Sequence, residues 1–274
     1  MILFEPFDGV DYEKESFDDF VSNQLPVEGW EEEELGIDDW DNMIYGYKLG
    51  DFSKPCIFIR GSVHGDEWES SYWQLEFMKE LVNPSVPYKK IVRKLLNYFC
   101  FYSIPCANPS GFEAETRENG NDVDLNRDNV NVEETETQIF HSKFSEIKPV
   151  TFIDNHTVDT STEYLGTGDI VTEGQIDISV VVDKMLQSMS FMRPKKVELY
   201  PWGELTDERR ARVWASRQET IRGSNCFSIL VEGARQDFLG TKEANMKFGV
   251  ISNMLISIQS LYFFKESIYN PVNQ

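Results

Sequence analysis

The chain has 274 residues, 41% of them hydrophobic and 27% charged, an ordinary globular composition and enough length for one large α/β domain with a substantial core. Lys+Arg total 26 against Asp+Glu 47, a formal net charge of -21, which argues against general nucleic-acid binding and against an anionic membrane as partner. No apolar run reaches the roughly 18 residues that span a bilayer, and the start MILFEPFDGVDYEKE lacks a basic region and a small-residue cleavage site, so the expected location is cytoplasmic.

Taken in chain order, residues 11–24 predict a short acidic amphipathic helix through Phe17, Phe20 and Val21. The stretch from Glu28 to Asp41, dense in acid and Trp, reads as a surface connection, so residues 1–42 are expected to form an acidic extension packed on a domain spanning 43–274. Met43 to Leu49 alternates like a strand, and Cys56 to Ile59 is a short apolar run expected to be a buried one. Trp68, Tyr72, Leu75, Met78 and Leu81 then recur at helical spacing. After the breaks at Asn83-Pro84 and Pro87, Asn97 to Pro105 predicts another buried strand, rich in aromatic residues. A long polar loop runs from Ala107 to about Val132, too long to be filler in a compact domain. Glu133 to Ile147 predicts a helix, with His141 a surface or half-buried residue outside any site. Val150 to Asp154 predicts a strand, Ile176 to Met189 a helix, Lys196 to Trp202 a strand and Cys226 to Val231 a further buried strand. A closing helix is expected over Lys242 to Phe264. This alternation predicts an α/β fold with a mixed, mostly parallel sheet between helices. The four cysteines show no C-x-x-C spacing and lie in or beside apolar runs, where free buried thiols are expected.

The chemistry collects at strand ends. His64 and Glu67 follow the first buried strand at once, at the turn into a helix, and His156 closes a later strand in VTFIDNHT. An H-x-x-E pair alone also occurs at ordinary solvated helix starts. With two of the chain's three histidines at strand ends, however, His64, Glu67 and His156 would make a two-histidine, one-glutamate zinc site with a fourth position for water. The long loop adds Asn108-Pro109-Ser110-Gly111, Arg117 and Asp124-Leu125-Asn126-Arg127, and the strand near the C-terminus ends in Glu232-Gly233.

In the order and spacing of these motifs, over about residues 43–262, the sequence resembles the zinc metallocarboxypeptidases, the carboxypeptidase A-like enzymes. The resemblance implies a sheet of about eight strands and one catalytic Zn2+ per chain, held by His64, Glu67 and His156. It implies that Asp124 orients the first histidine, that Asn126 and Arg127 grip the substrate's terminal carboxylate, that Arg117 stabilises the oxyanion and that Glu232 is the general base. Bidentate pairing suits arginine to a carboxylate. The implied activity is removal of a C-terminal residue from a peptide or a peptidoglycan stem peptide.

Three departures stand out. The stretch before Glu232, RRARVWASRQETIRG, has no counterpart of the family's mobile tyrosine, and Ser110 stands where the family's turn has Asp. An N-terminal pro-segment of the digestive-enzyme kind is not expected either. These departures leave room for the related succinylglutamate desuccinylase and aspartoacylase group, zinc deacylases of small N-acyl amino acids with a free carboxylate. A non-catalytic binding or structural protein on the same fold is the remaining alternative, against which the complete set of ligands, base and arginines speaks. Six of the eleven arginines fall between Arg209 and Arg235, and Arg217 is singled out by its distance from Glu232 as a partner for an acidic substrate side chain.

Overall fold

The computed structural model describes residues 12–85, 88–158, 169–172, 207–234 and 242–269. Seven strands among them form one sheet: β1 (Glu31–Ile37), β2 (Met43–Leu49), β3 (Cys56–Arg60), β4 (Cys100–Ile104), β5 (Thr151–Val158), β6 (Asp169–Thr172) and β7 (Phe227–Ala234). Their order is β1-β2-β4-β3-β5-β7-β6. The four central strands run parallel, whereas β1, β2 and β6 join antiparallel at the margins. The mixed sheet between helices is as expected. The helix expected over 176–189 and the strand over 196–202 lie outside the described residues.

Helices cover both faces. One face takes α1 (Phe17–Gln24), α2 (Glu69–Val82), α3 (Lys89–Tyr98) and the C-terminal α7 (Lys242–Tyr269). The other takes α5 (Thr135–Ile147) and α6 (Ala211–Ser216). Alternation along each strand feeds the two cores separately: Ile57, Ile59, Phe101, Ile153, Ile229 and Val231 face the first, while Cys56, Phe58, Tyr102, Phe152 and Cys226 face the second. On that second face the same period carries Arg60, Asp154, His156 and Glu232 to the C-terminal ends of their strands. In open α/β sheets that edge is where ligands bind. All four cysteines are free and buried, as their apolar surroundings predict.

Three elements differ from expectation. Glu31–Ile37 is an edge strand, not a surface connection, because its acids are anchored: Tyr47 donates to Glu32 (2.7 Å), Tyr102 to Glu33 (3.1 Å), and Lys143 pairs with Glu33 (2.6 Å). Residues before 43 thus supply an edge strand and, through Phe17, Phe20, Leu25, Val27 and Trp30, part of the first core. Tyr98 ends α3 rather than opening a strand, since Val92 and Leu95 bury one face of a helix there. The long loop contains a short helix, α4 (Pro109–Ala114), capped by Asn108, whose side chain accepts from the Gly111 N–H at 2.9 Å. No helix among the described residues is long and apolar enough to cross a membrane.

Candidate active site

β3 ends at Arg60, and two backbone hydrogen bonds hold the departing chain beside the end of β4: Gly61 N–H to Ile104 O and Ala107 N–H to Gly61 O, each 3.0 Å. Asn108 ties the next turn down, donating to the carbonyls of Val63 and Glu118 at 3.2 Å. The two loops then cross backbone to backbone. A Cβ on Gly65 would lie 1.7 Å from the carbonyl carbon of Gly111, so only glycine lets HGDE pass over the NPSG turn. A single 3-10 turn, Gly65–Glu67, brings the Glu67 carboxylate back beneath His64.

His156 arrives on β5 and Glu232 on β7, and the two are register partners in the parallel ladder. Gly233 follows because the edge of Trp73 fills the space where a Cβ would stand, 2.2 Å away.

The three expected ligands converge. His64 Nδ1 lies 2.7 Å from Glu67 Oε1, and His156 Nδ1 lies 2.8 Å from Glu67 Oε2. The ligand atoms of all three residues lie within 4.8 Å of one another, and all three side chains are buried. Each imidazole also has a carboxylate on its outer nitrogen. His64 Nε2 lies 3.3 Å from Asp124 Oδ1, and His156 Nε2 lies 3.2 Å from Asp154 Oδ2, the latter a close polar contact off the ideal hydrogen-bond line. Burial alone would lower both imidazoles, but the carboxylates outweigh it: Glu67 and Asp124 raise His64, and Asp154 with Glu67 pushes His156 up to about 10. Burial would raise Glu67, and the two histidines reverse this and hold it below the usual carboxylate range.

Glu232 is half-buried, and burial, reinforced by the Glu67 charge, pushes its carboxyl up to about 7 against the opposing pull of His156, His64 and Arg212. Asp124 is held low by His64 and Arg117 despite burial. Arg117 donates from Nε to Asp124 Oδ2 (2.9 Å) and pairs through Nη2 (2.8 Å), while its Nη1 stands 3.2 Å from His64 Nδ1 and 3.8 Å from Glu67 Oε1. It sits at the rim, 38% exposed.

Asn126 and Arg127 form a 3-10 turn capped by Asp124. Asn126 Oδ1 accepts from the Ala211 N–H at 3.0 Å, so the asparagine anchors the start of α6. Arg127 donates to its neighbour's carbonyl (3.0 Å) and stands 3.8 Å from Asp207, and burial, with the charges of Arg210 and Arg117, lowers its guanidinium from the ordinary value. Arg217 caps the other end of α6, half-exposed and paired with Glu208. The arginine of this run whose charge acts on Glu232 is Arg212, which is buried. His141 lies outside the cluster, stacked on Trp214 with ring centroids 3.6 Å apart and bonded to Asn129.

Two residues of the site escaped the sequence reading. Asp154 was readable only from the strand period, since a residue two before His156 shares its face. Arg60 looks like any polar residue at a strand end.

The donor set fits zinc. Two imidazole nitrogens and one carboxylate facing a single buried point, each imidazole backed by a carboxylate, are the borderline-soft, oriented donors that Zn2+ takes in hydrolytic sites.

The comparisons agree with this geometry. The zinc carboxypeptidase family model matches residues 41–224, about two thirds of the chain, which includes His64, Glu67 and His156 and stops short of Glu232. Among solved structures, bovine thrombin-activatable fibrinolysis inhibitor in complex with tick carboxypeptidase inhibitor superposes with a TM-score of 0.71 at 14% identity, over 91% of this chain and 98% of the other. A metallo-carboxypeptidase from Burkholderia cenocepacia gives 0.68 at 15% identity, over 88% and 68%. One from Pseudomonas aeruginosa, in complex with (2-guanidinoethylmercapto)succinic acid, gives 0.65 at 15% identity, over 89% and 68%. Fold and donor set therefore converge with the family match, and the chain belongs to the zinc carboxypeptidase family, a zinc-dependent hydrolase of metallo-exopeptidase type.

Proposed function

We propose that the protein removes the C-terminal residue from a peptide or a peptidoglycan stem peptide, with His64, Glu67 and His156 holding one zinc ion and Glu232 as the general base. The observation that carries this reading is the placement of a carboxyl group, Glu232, opposite the ligand His156 on the neighbouring strand. Zinc, when bound, acidifies water and polarises a carbonyl. Glu232 takes the water's proton and delivers it to the leaving amine, a task suited to a carboxyl raised to about 7 by burial and by Glu67. Arg127 holds the terminal carboxylate, with Asn126 shaping its turn. Arg117, at the rim beside His64 and Glu67, meets the oxyanion. The Pseudomonas aeruginosa relative was solved with a succinic acid derivative, an anion of the kind that an arginine such as Arg127 can pair with.

The lack of a tyrosine between Arg209 and Gly223 favours a second reading, a deacylase of small N-acyl amino acids. Blocked dipeptides with free and amidated C-termini, compared with N-acyl amino acids, divide the two. The peptidase reading expects hydrolysis of the free-carboxylate dipeptides alone, and turnover restricted to N-acyl amino acids overturns it. Glu232→Gln is expected to keep one zinc per chain while kcat falls by about 10²-fold or more, the usual scale for a positioned proton-transfer group. A change confined to KM would make Glu232 a binding residue and leave the base elsewhere.

A further inference from the structure

Beneath the second ligand lies an ion pair that the reaction as derived does not use. Arg60 on β3 and Asp154 on β5 are register partners, 3% and 1% exposed. The pairing is two-pronged: Arg60 Nε donates to Asp154 Oδ1 at 2.9 Å and Nη2 to Oδ2 at 2.8 Å. Phe140 stacks on the guanidinium at 4.4 Å, with Phe152 at 5.5 Å, so aromatic rings rather than water surround the charge. Oδ2 is the same oxygen that meets His156 Nε2 at 3.2 Å.

A buried ion pair is a poor stabilising device, because the cost of desolvating both charges rivals their attraction and a well-packed apolar pair does as well. Its place here gives it another use. The guanidinium fork holds both Asp154 oxygens as acceptors. An acceptor beside Nε2 favours the imidazole proton there, which leaves Nδ1, the nitrogen that faces Glu67, available to a metal ion. Glu67 is fixed from the same side, since Oε2 also accepts from the Thr157 N–H at 3.0 Å. The arrangement parallels Arg117–Asp124–His64, but there the arginine stands at the exposed rim, whereas Arg60 is sealed in.

We propose that Arg60 and Asp154 are positioning residues of the metal centre: an Arg60–Asp154–His156 relay across β3 and β5 sets the tautomer and ring orientation of the second histidine. The inference rests on His156 being a ligand. Zinc stoichiometry of the wild-type protein tests that assignment by itself, whereas affinity at unchanged stoichiometry tests the relay.

The experiment measures zinc dissociation constants by competition with a chromophoric chelator for wild type, Asp154→Asn, Arg60→Met and Arg60→Lys, with thermal melting of each zinc-free protein as the control for folding. Loss of an outer partner of a metal-bound histidine weakens binding by about 10–100-fold. Asp154→Asn and Arg60→Met are expected in that range at one zinc per chain. Arg60→Lys, which keeps the charge without the fork, is expected between them and wild type, a graded rescue that a packing role does not produce. The visible spectrum of the cobalt-loaded Asp154→Asn protein is expected to shift as the ligand field changes. An Asp154→Asn protein that melts like wild type and binds zinc equally well overturns the proposal. Should the variants fail to fold, nitrogen-15 spectra of the wild-type zinc protein decide: a proton on His156 Nε2 supports the relay, and a proton on Nδ1 overturns it.

Discussion

Glu136, in the first turn of α5, is buried at 5% exposure beside Asn119, which donates to both its oxygens at 3.3 Å. Burial, with smaller contributions from Asp38 and Glu134, pushes its carboxyl up to about 7. The unfolded chain ionises the same group near 4.5, so between these values the folded state holds a proton that the unfolded state has lost. The sign follows. Stability is unpenalised below pH 4.5, falls as pH rises, and carries the full penalty above pH 7. Glu136→Gln removes the charge, so its melting temperature is expected to exceed wild type by a few degrees at pH 8 and by little at pH 5. A gap that does not change with pH would show that Glu136 is not the titrating group. The ligand residues are more legible from sequence than Glu136 or Arg60. His64, Glu67 and His156 stand at ends of apolar runs, where local pattern and chemistry coincide. The environments of Glu136 and Arg60 are set by residues tens of positions away, and their own neighbourhoods in sequence look solvated.

At the scale of elements, the crossing of Gly65 over Gly111 positions the first two ligands. Gly65→Ala drives a methyl group into the Gly111 carbonyl, and one loop must move off the other. The expected cost is about 3 kcal/mol or more in urea unfolding, at the upper end for overpacking, together with reduced zinc stoichiometry, because His64 and Glu67 flank the displaced residue. Unfolding at the wild-type urea midpoint would mean that the loops separate freely. Elements with a clear period were readable: α2, α5, α7 and the central strands match their patterns. β1 was not, since four consecutive glutamates carry no alternation, and the strand exists because β2 and the hydroxyls of Tyr47 and Tyr102 accept it. α6 was not readable either. Counting back from Glu232 selects Arg217, but a short helix anchored by Asn126 turns that residue outward and brings Arg212 inward.

For the molecule as a whole, the chain before residue 43 is structural rather than appended. β1 covers the edge of β2, Trp30 donates from its indole to the Met78 carbonyl at 3.1 Å, and Phe17 and Phe20 are buried in the first core. A chain starting at residue 43 therefore exposes a strand edge and an apolar face together, which is a template for aggregation. It is expected to be insoluble or to lack a cooperative melting transition, and a soluble, zinc-binding protein from such a truncation would show instead that the catalytic unit begins there. Much of the acidity also finds local use: Glu33, Asp124, Asp154 and Asp207 each pair with a cation, so the net charge of -21 understates how far the charges are organised.

The register of β5 against β7 bears on how activity can be used as a signal. His156 and Glu232 are far apart in sequence and meet only because Thr151 pairs with Phe227 and every later pair follows. A slip of one residue would turn one of the two side chains to the opposite face of the sheet. Helical content can return during refolding without that alignment, because it depends on nearer neighbours in sequence. Recovered hydrolysis therefore reports one long-range event, the correct alignment of two central strands, and enzyme assay serves as a stricter gauge of the native state than any spectroscopic average over the chain.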